Sequence, residues 1–77
     1  MSIKVRYFAS LKESIGRSED DLELAGLLTV DLIWRAANPD KALPENCLAA
    51  VNMEYVELHS LVKDGDEVAF FPPVTGG

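Results

Sequence analysis

The chain opens on "SIKVRYF", in which apolar and polar positions alternate: Ile3, Val5 and Tyr7 against Lys4 and Arg6. Period-two alternation predicts a strand with one buried face. Phe8 breaks the rule, an aromatic on the side that carries Lys4 and Arg6. "SLKESIG" follows, where Ser10 and Glu13 have capping-box spacing and Gly16 is a natural stop, so a short helix is expected. "EDDLEL" places Leu22 and Leu24 in alternation after an acidic lead and predicts a second strand, hairpin-paired with the first. Thr29 is the expected N-cap of "VDLIWRAAN", with Asp31 complementing the helix dipole. Val30, Ile33, Trp34 and Ala37 then fall at i, i+3, i+4 and i+7, one apolar helix face, and Asn38-Pro39 ends it.

The second half is shorter in rhythm. "PDKALPEN" is a polar loop, "CLAAVN" an interior strand ending in a turn at Asn52, "YVEL" a brief strand, and Asp64-Gly65 a tight turn. In the last strand, "EVAFFPP", Val68 and Phe70 share one face and Glu67, Ala69 and Phe71 the other. Pro72 and Pro73 lack the N–H that ladder pairing needs, so pairing should stop there. The predicted order is strand, short helix, strand, helix, strand, strand, strand. That order fits an α+β, β-grasp (ubiquitin-like) architecture: one mixed sheet with a main helix on one face, plus a short helix. Residues 1–77 then form one domain, with 72–77 as a flexible tail. The uncovered sheet face is expected to present Phe8 and Phe71, joined by Tyr55. Several aromatics on one open face suggest a protein interface.

Composition narrows the chemistry. A 77-residue chain with 48% hydrophobic residues can hold one small core. One cysteine, Cys47, excludes an internal disulfide and an iron–sulfur cluster, and one histidine, His59, excludes a Cys/His zinc site. His59 reads as a surface residue, Cys47 as a small buried filler and Trp34 as core. The acidic set Glu19, Asp20, Asp21 and Glu23 lacks calcium-loop spacing and reads as a solvated strand edge. A net charge of −6 disfavours nucleic acid and anionic membranes as partners. No apolar run reaches membrane-spanning length and no export signal is apparent, so a cytoplasmic location is expected.

With no acid–base constellation in view, the reactive group is sought in the tail. Gly76-Gly77 offers a main-chain carboxylate on backbone thin enough to enter a channel closed to side chains. From Pro72 onward six residues can span ~20 Å when extended. The prolines stiffen its base. Such a chain would work by placing its own end in another protein's active site.

"IKVRYFA", "LAAVN" and above all "DGDEVAFFPPVTGG" resemble the small, sulfur-carrying subunit of molybdopterin synthase. "FFPPVTGG" is the most specific part of the resemblance. The resemblance implies that Gly77 is adenylated with ATP by a ubiquitin-activating-enzyme-like adenylyltransferase and converted to a thiocarboxylate. The tail (Pro72, Pro73, Val74, Thr75, Gly76) would then enter the large catalytic subunit, in a heterotetramer of two small and two large subunits. There the sulfur would attack cyclic pyranopterin monophosphate. The resemblance also implies that Phe8, Tyr55 and Phe71 dock both partners, that the catalytic acids and bases lie on the large subunit, and that this chain binds no metal or cofactor. A ubiquitin-like modifier, a carrier for thiamine or tRNA thiolation, and a plain binding module stay open as alternatives.

Overall fold

The computed structural model describes residues 1–73; the expectations for Val74, Thr75, Gly76 and Gly77 lie outside the described residues. β1 (Ser2–Tyr7) buries Ile3, Val5 and Tyr7 and exposes the residues between them, as its alternation requires. β2 (Glu19–Glu23) returns antiparallel beside it, after the short helix α1 (Ala9–Ile15). β3 (Leu28–Thr29) leads into the main helix α2 (Val30–Ala37). β4 (Leu48–Val51) and β5 (Glu54–Val56) form a hairpin, β6 (Leu61–Val62) pairs with β3, and β7 (Glu67–Phe71) closes the chain of elements. The main sheet has the order β2-β1-β7-β4-β5, with β1 and β7 parallel at its centre.

The two-stranded β3–β6 sheet is an addition to the predicted order. Each strand has two residues, too few for a period to register, and both are held by their mutual pairing. Ser10 is not a cap: α1 begins at Ala9 with Phe8 at the N-cap and no side-chain cap bond. Gly16 does end that helix, with φ 82° and its N–H donating to the Lys12 carbonyl. Thr29 stands at the α2 N-cap as expected, but its hydroxyl bonds the Asp31 carboxylate instead of a backbone N–H.

The core lies between α2 and the helix-facing side of the sheet. Val30, Ile33 and Trp34 from α2 meet Ile3, Val5, Tyr7, Val68 and Phe70, all with at most 2% exposure. Trp34 packs edge-on against Tyr7 and Phe70, with centroids 5.9 and 5.1 Å apart. Its indole N–H donates to the Lys41 carbonyl at 2.8 Å, which ties down the polar loop after α2. Cys47 is buried at the edge of this core, as expected of a filler.

Tyr7 brings a hydroxyl into an apolar layer, and that hydroxyl is satisfied twice. It donates to Asp20 Oδ2 at 2.8 Å and accepts from Asn38 Nδ2 at 3.0 Å. Arg17 holds the same carboxylate through Nε and Nη2 and also donates to Asn38 Oδ1 at 2.7 Å and to the Ala37 carbonyl. A cation at the C-terminal end of α2 suits the helix dipole. Asp20 is therefore a structural link between β2, β1 and α2, not the freely solvated residue expected of the acidic run.

Candidate functional site

The parallel register of β1 and β7 builds the open face. Tyr7 lies opposite Phe70, so the next residues along, Phe8 and Phe71, stand side by side. Their rings stack with centroids 4.8 Å apart and planes within 8°. Ala50 lies opposite both Ala69 on β7 and Tyr55 on β5, which brings Tyr55 to 6.0 Å from Phe71. The three aromatics expected on this face thus form one contiguous patch. Phe8 and Phe71 are half-buried by each other and their neighbours, while Tyr55 is 72% exposed.

Around them the sheet forms a shallow groove of about 270 Å³, floored by Ala50 and Ala69. Ala50 is only 4% exposed although it belongs to the open face, because a small side chain lies below its larger neighbours. One wall is polar: Arg6 lies 5.6 Å above the Phe8 ring and 3.7 Å from the Glu67 carboxylate. The opposite wall holds Met53, 93% exposed, which the sequence pattern did not single out. Its signal was present: an apolar residue in a two-residue hairpin connection, where glycine is usual.

The chain leaves the sheet at Phe71, at the edge of this patch. Pro72 is half-buried and Pro73 exposed, and neither is part of β7, as their missing N–H groups dictate.

The remaining candidates fall outside this site. His59 is exposed and paired with Glu57 at 2.8 Å. Burial pushes the Cys47 thiol above its ordinary range, only partly offset by the Phe71 backbone N–H, so the resting form is a protonated, weak nucleophile. Burial and the hydrogen bond to Asp20 lift the Tyr7 phenol. Burial alone would raise Asp20, but hydrogen bonds from Arg17 and Tyr7 outweigh it and hold the carboxyl low. Among the described residues no three His, Cys, Asp or Glu side chains gather as a metal would require, and no helix is long and apolar enough to cross a membrane.

A mixed sheet with parallel central strands, one helix-covered face and one open aromatic face defines a ubiquitin-like β-grasp domain. Solved structures agree: SAMP1 from Haloferax volcanii superposes with a TM-score of 0.82 at 28% identity over all of both chains. Residues 5–77 match the ThiS family, and the chain belongs to that family. It is 43% identical, over the full length of both, to a protein of Chlamydomonas reinhardtii named molybdopterin synthase sulfur carrier subunit. A protein of the same name from Escherichia coli is also 43% identical, with 97% of this chain and 99% of that one aligned. The complex of subunits 1 and 2 of the molybdopterin-converting factor from Helicobacter pylori contains a chain similar to this one, with a TM-score of 0.68, 25% identity and full coverage of both.

Proposed function

We propose that this chain is the sulfur carrier subunit of a molybdopterin synthase. The observation that supports it most is the end-to-end similarity to proteins bearing that name, at 40–43% identity over nearly all of each chain. The Gly77 carboxylate is the group that reacts. A carboxylate does not exchange oxygen for sulfur unaided, so an adenylyltransferase first joins it to the AMP moiety of ATP and releases pyrophosphate. A sulfur nucleophile displaces AMP and leaves a thiocarboxylate. The tail then enters the large subunit, where the sulfur attacks a carbon of cyclic pyranopterin monophosphate and displaces the oxygen substituent that carbon carries, a C–S bond replacing a C–O bond. Hydrolysis of the resulting thioester-type link returns the carboxylate, and a second delivery completes the dithiolene. Acid–base work falls to the large subunit, and this chain binds no cofactor of its own.

The residues divide the labour accordingly. Gly76 and Gly77 keep the reacting end slim. Pro72 and Pro73 turn the chain off the sheet and, with Val74 and Thr75, set its reach. The patch of Phe8, Tyr55 and Phe71 docks the large subunit and, in turn, the adenylyltransferase. The partner in the Helicobacter pylori complex supports a large-subunit role for the first of these. Deleting Gly77 tests the assignment: sulfur transfer to the pterin by the reconstituted synthase should be abolished while binding to the large subunit persists. Transfer that survives the deletion refutes it.

One observation favours a second use. SAMP1 of Haloferax volcanii, also described as small archaeal modifier protein 1, shares this fold over its whole length. Attachment of Gly77 to lysine would need the same adenylation. Lysine conjugates that accumulate in cells and vanish with Gly77→Ala would establish it.

A further inference from the structure

Four non-glycine residues among those described have positive φ: Ala9 (53°), Asn46 (60°), Asn52 (50°) and Met53 (73°). Asparagine tolerates this region because its short polar side chain bonds locally. Asn52 is held there by tertiary bonds instead: its side chain donates to Asp66 Oδ1 at 2.9 Å and accepts the Glu67 N–H at 3.0 Å. Ala9 and Met53 have no such compensation, and both border the open-face patch. Ala9 follows Phe8 directly, and Met53 is a wall of the groove.

The Asn52-Met53 pair connects β4 to β5, with Val51 opposite Glu54. Two central residues at positive φ are the requirement of a type I′ turn, whose second position favours glycine. Met53 occupies that position with its side chain 93% exposed. The residue is thus unfavourable twice over for the isolated chain, once through its backbone and once through apolar surface left in water. Strain of this kind persists where function requires it. A long, flexible thioether beside Tyr55, Ala50 and Phe71 is a side chain suited to filling a partner's apolar recess.

We propose that Met53 is a docking anchor for the large subunit, a fourth contact that the three aromatics do not supply; this rests on the carrier reading above. The occupant follows from position. The chain leaves the sheet at Phe71, so the protein that takes up the tail sits over the groove, and Met53 stands on its far wall, where it can engage only a partner broad enough to span Phe71 to the β4–β5 turn. The large subunit is the partner the comparisons favour, because a chain similar to this one over its full length occurs in complex with subunit 2 of the molybdopterin-converting factor of Helicobacter pylori.

The test is the affinity of the full-length wild type, Met53→Gly and Met53→Ala for the cognate large subunit by calorimetry, with thermal unfolding of each free chain alongside. Met53→Gly should bind at least tenfold more weakly yet melt roughly 2–6 °C higher, because glycine relieves the turn. Met53→Ala keeps the strained backbone and should lose the same affinity without the gain in Tm. A Gly variant that binds within twofold of wild type overturns the proposal, as does one that melts lower, since Met53 would then serve the fold's own packing. A wild type that does not bind the large subunit at all overturns the carrier reading together with it.

Discussion

The Phe8 and Phe71 rings lie face to face, 4.8 Å apart and within 8° of parallel, on the sheet face that no helix covers. They are one residue beyond the last paired positions of two parallel strands, Tyr7 and Phe70, whose own rings stack on the opposite, buried face. The same register therefore builds a core contact on one side and, on the other, an aromatic stack on the open face, the one proposed to dock the large subunit.

Phe71→Glu should separate these roles. The new carboxylate can turn to water on an open face, so the loss is the ring stack and some apolar area, about 1–2 kcal/mol. Binding to the large subunit should weaken by a factor on the order of 100, as for a central aromatic anchor. Calorimetry for binding and a melting curve for stability measure both. A stability loss above roughly 4 kcal/mol would place Phe71 in the core instead.

Tyr7→Phe removes a hydroxyl that serves Asp20 and Asn38 at once. The buried Asn38 amide keeps its Arg17 contact but loses its acceptor, so denaturation should show a loss of about 1–2 kcal/mol with the fold intact. The proposed docking patch is on the other face, and partner affinity should be unchanged.

Asp20 gives the chain a defined acid response. Its carboxyl is held below the usual range when folded, so its ionised form adds stability that is complete above the unfolded value and fades as pH falls through the lower folded one. Wild type should therefore exceed Asp20→Asn in stability by a constant margin near neutrality. The margin should shrink below about pH 4. Urea midpoints for both proteins between pH 2 and pH 7 would reveal it; a margin that grows toward acid contradicts the linkage.

Cys47 should be a bystander to sulfur chemistry. Its thiol is buried and raised by that burial, so a thiol reagent at pH 7 should label the native chain far more slowly than the unfolded one. Cys47→Ala should cost about 1 kcal/mol through the small cavity and still accept sulfur at Gly77. Loss of sulfur loading in that variant would move the carrier site to the cysteine.

How far these features were legible depends on what each residue's neighbours in sequence reveal. Alternation in "SIKVRYF" and "EVAFF" placed Val5, Tyr7, Val68 and Phe70 inside and Phe8 and Phe71 outside, because a strand's period fixes its faces. Helical spacing likewise identified Val30, Ile33 and Trp34. The β3–β6 pair was invisible, since two residues make no pattern and their pairing joins positions over thirty apart. Asp20 looked like one solvated acid among four because the Tyr7 hydroxyl that donates to it, and the Asn38 amide that donates to that hydroxyl, lie distant in sequence; only its other donor, Arg17, is a near neighbour. Ser10 had capping-box spacing, but the chain enters α1 two residues earlier than a Ser10 cap requires, directly from β1 through Phe8. Met53 was overlooked because its unusual feature is a backbone angle, which residue type alone suggests only when the turn's exact position is known.

Sulfur carriage at Gly77 can be read from the intact mass of the chain. The full-length chain is incubated with the adenylyltransferase, ATP and a sulfide donor, beside a chain lacking Gly77. Wild type should gain the mass of a single sulfur-for-oxygen exchange, located by fragmentation to the terminal residue, and the shortened chain should gain none. An unchanged wild-type mass while ATP is consumed, or a gain located at any other residue, would contradict the account.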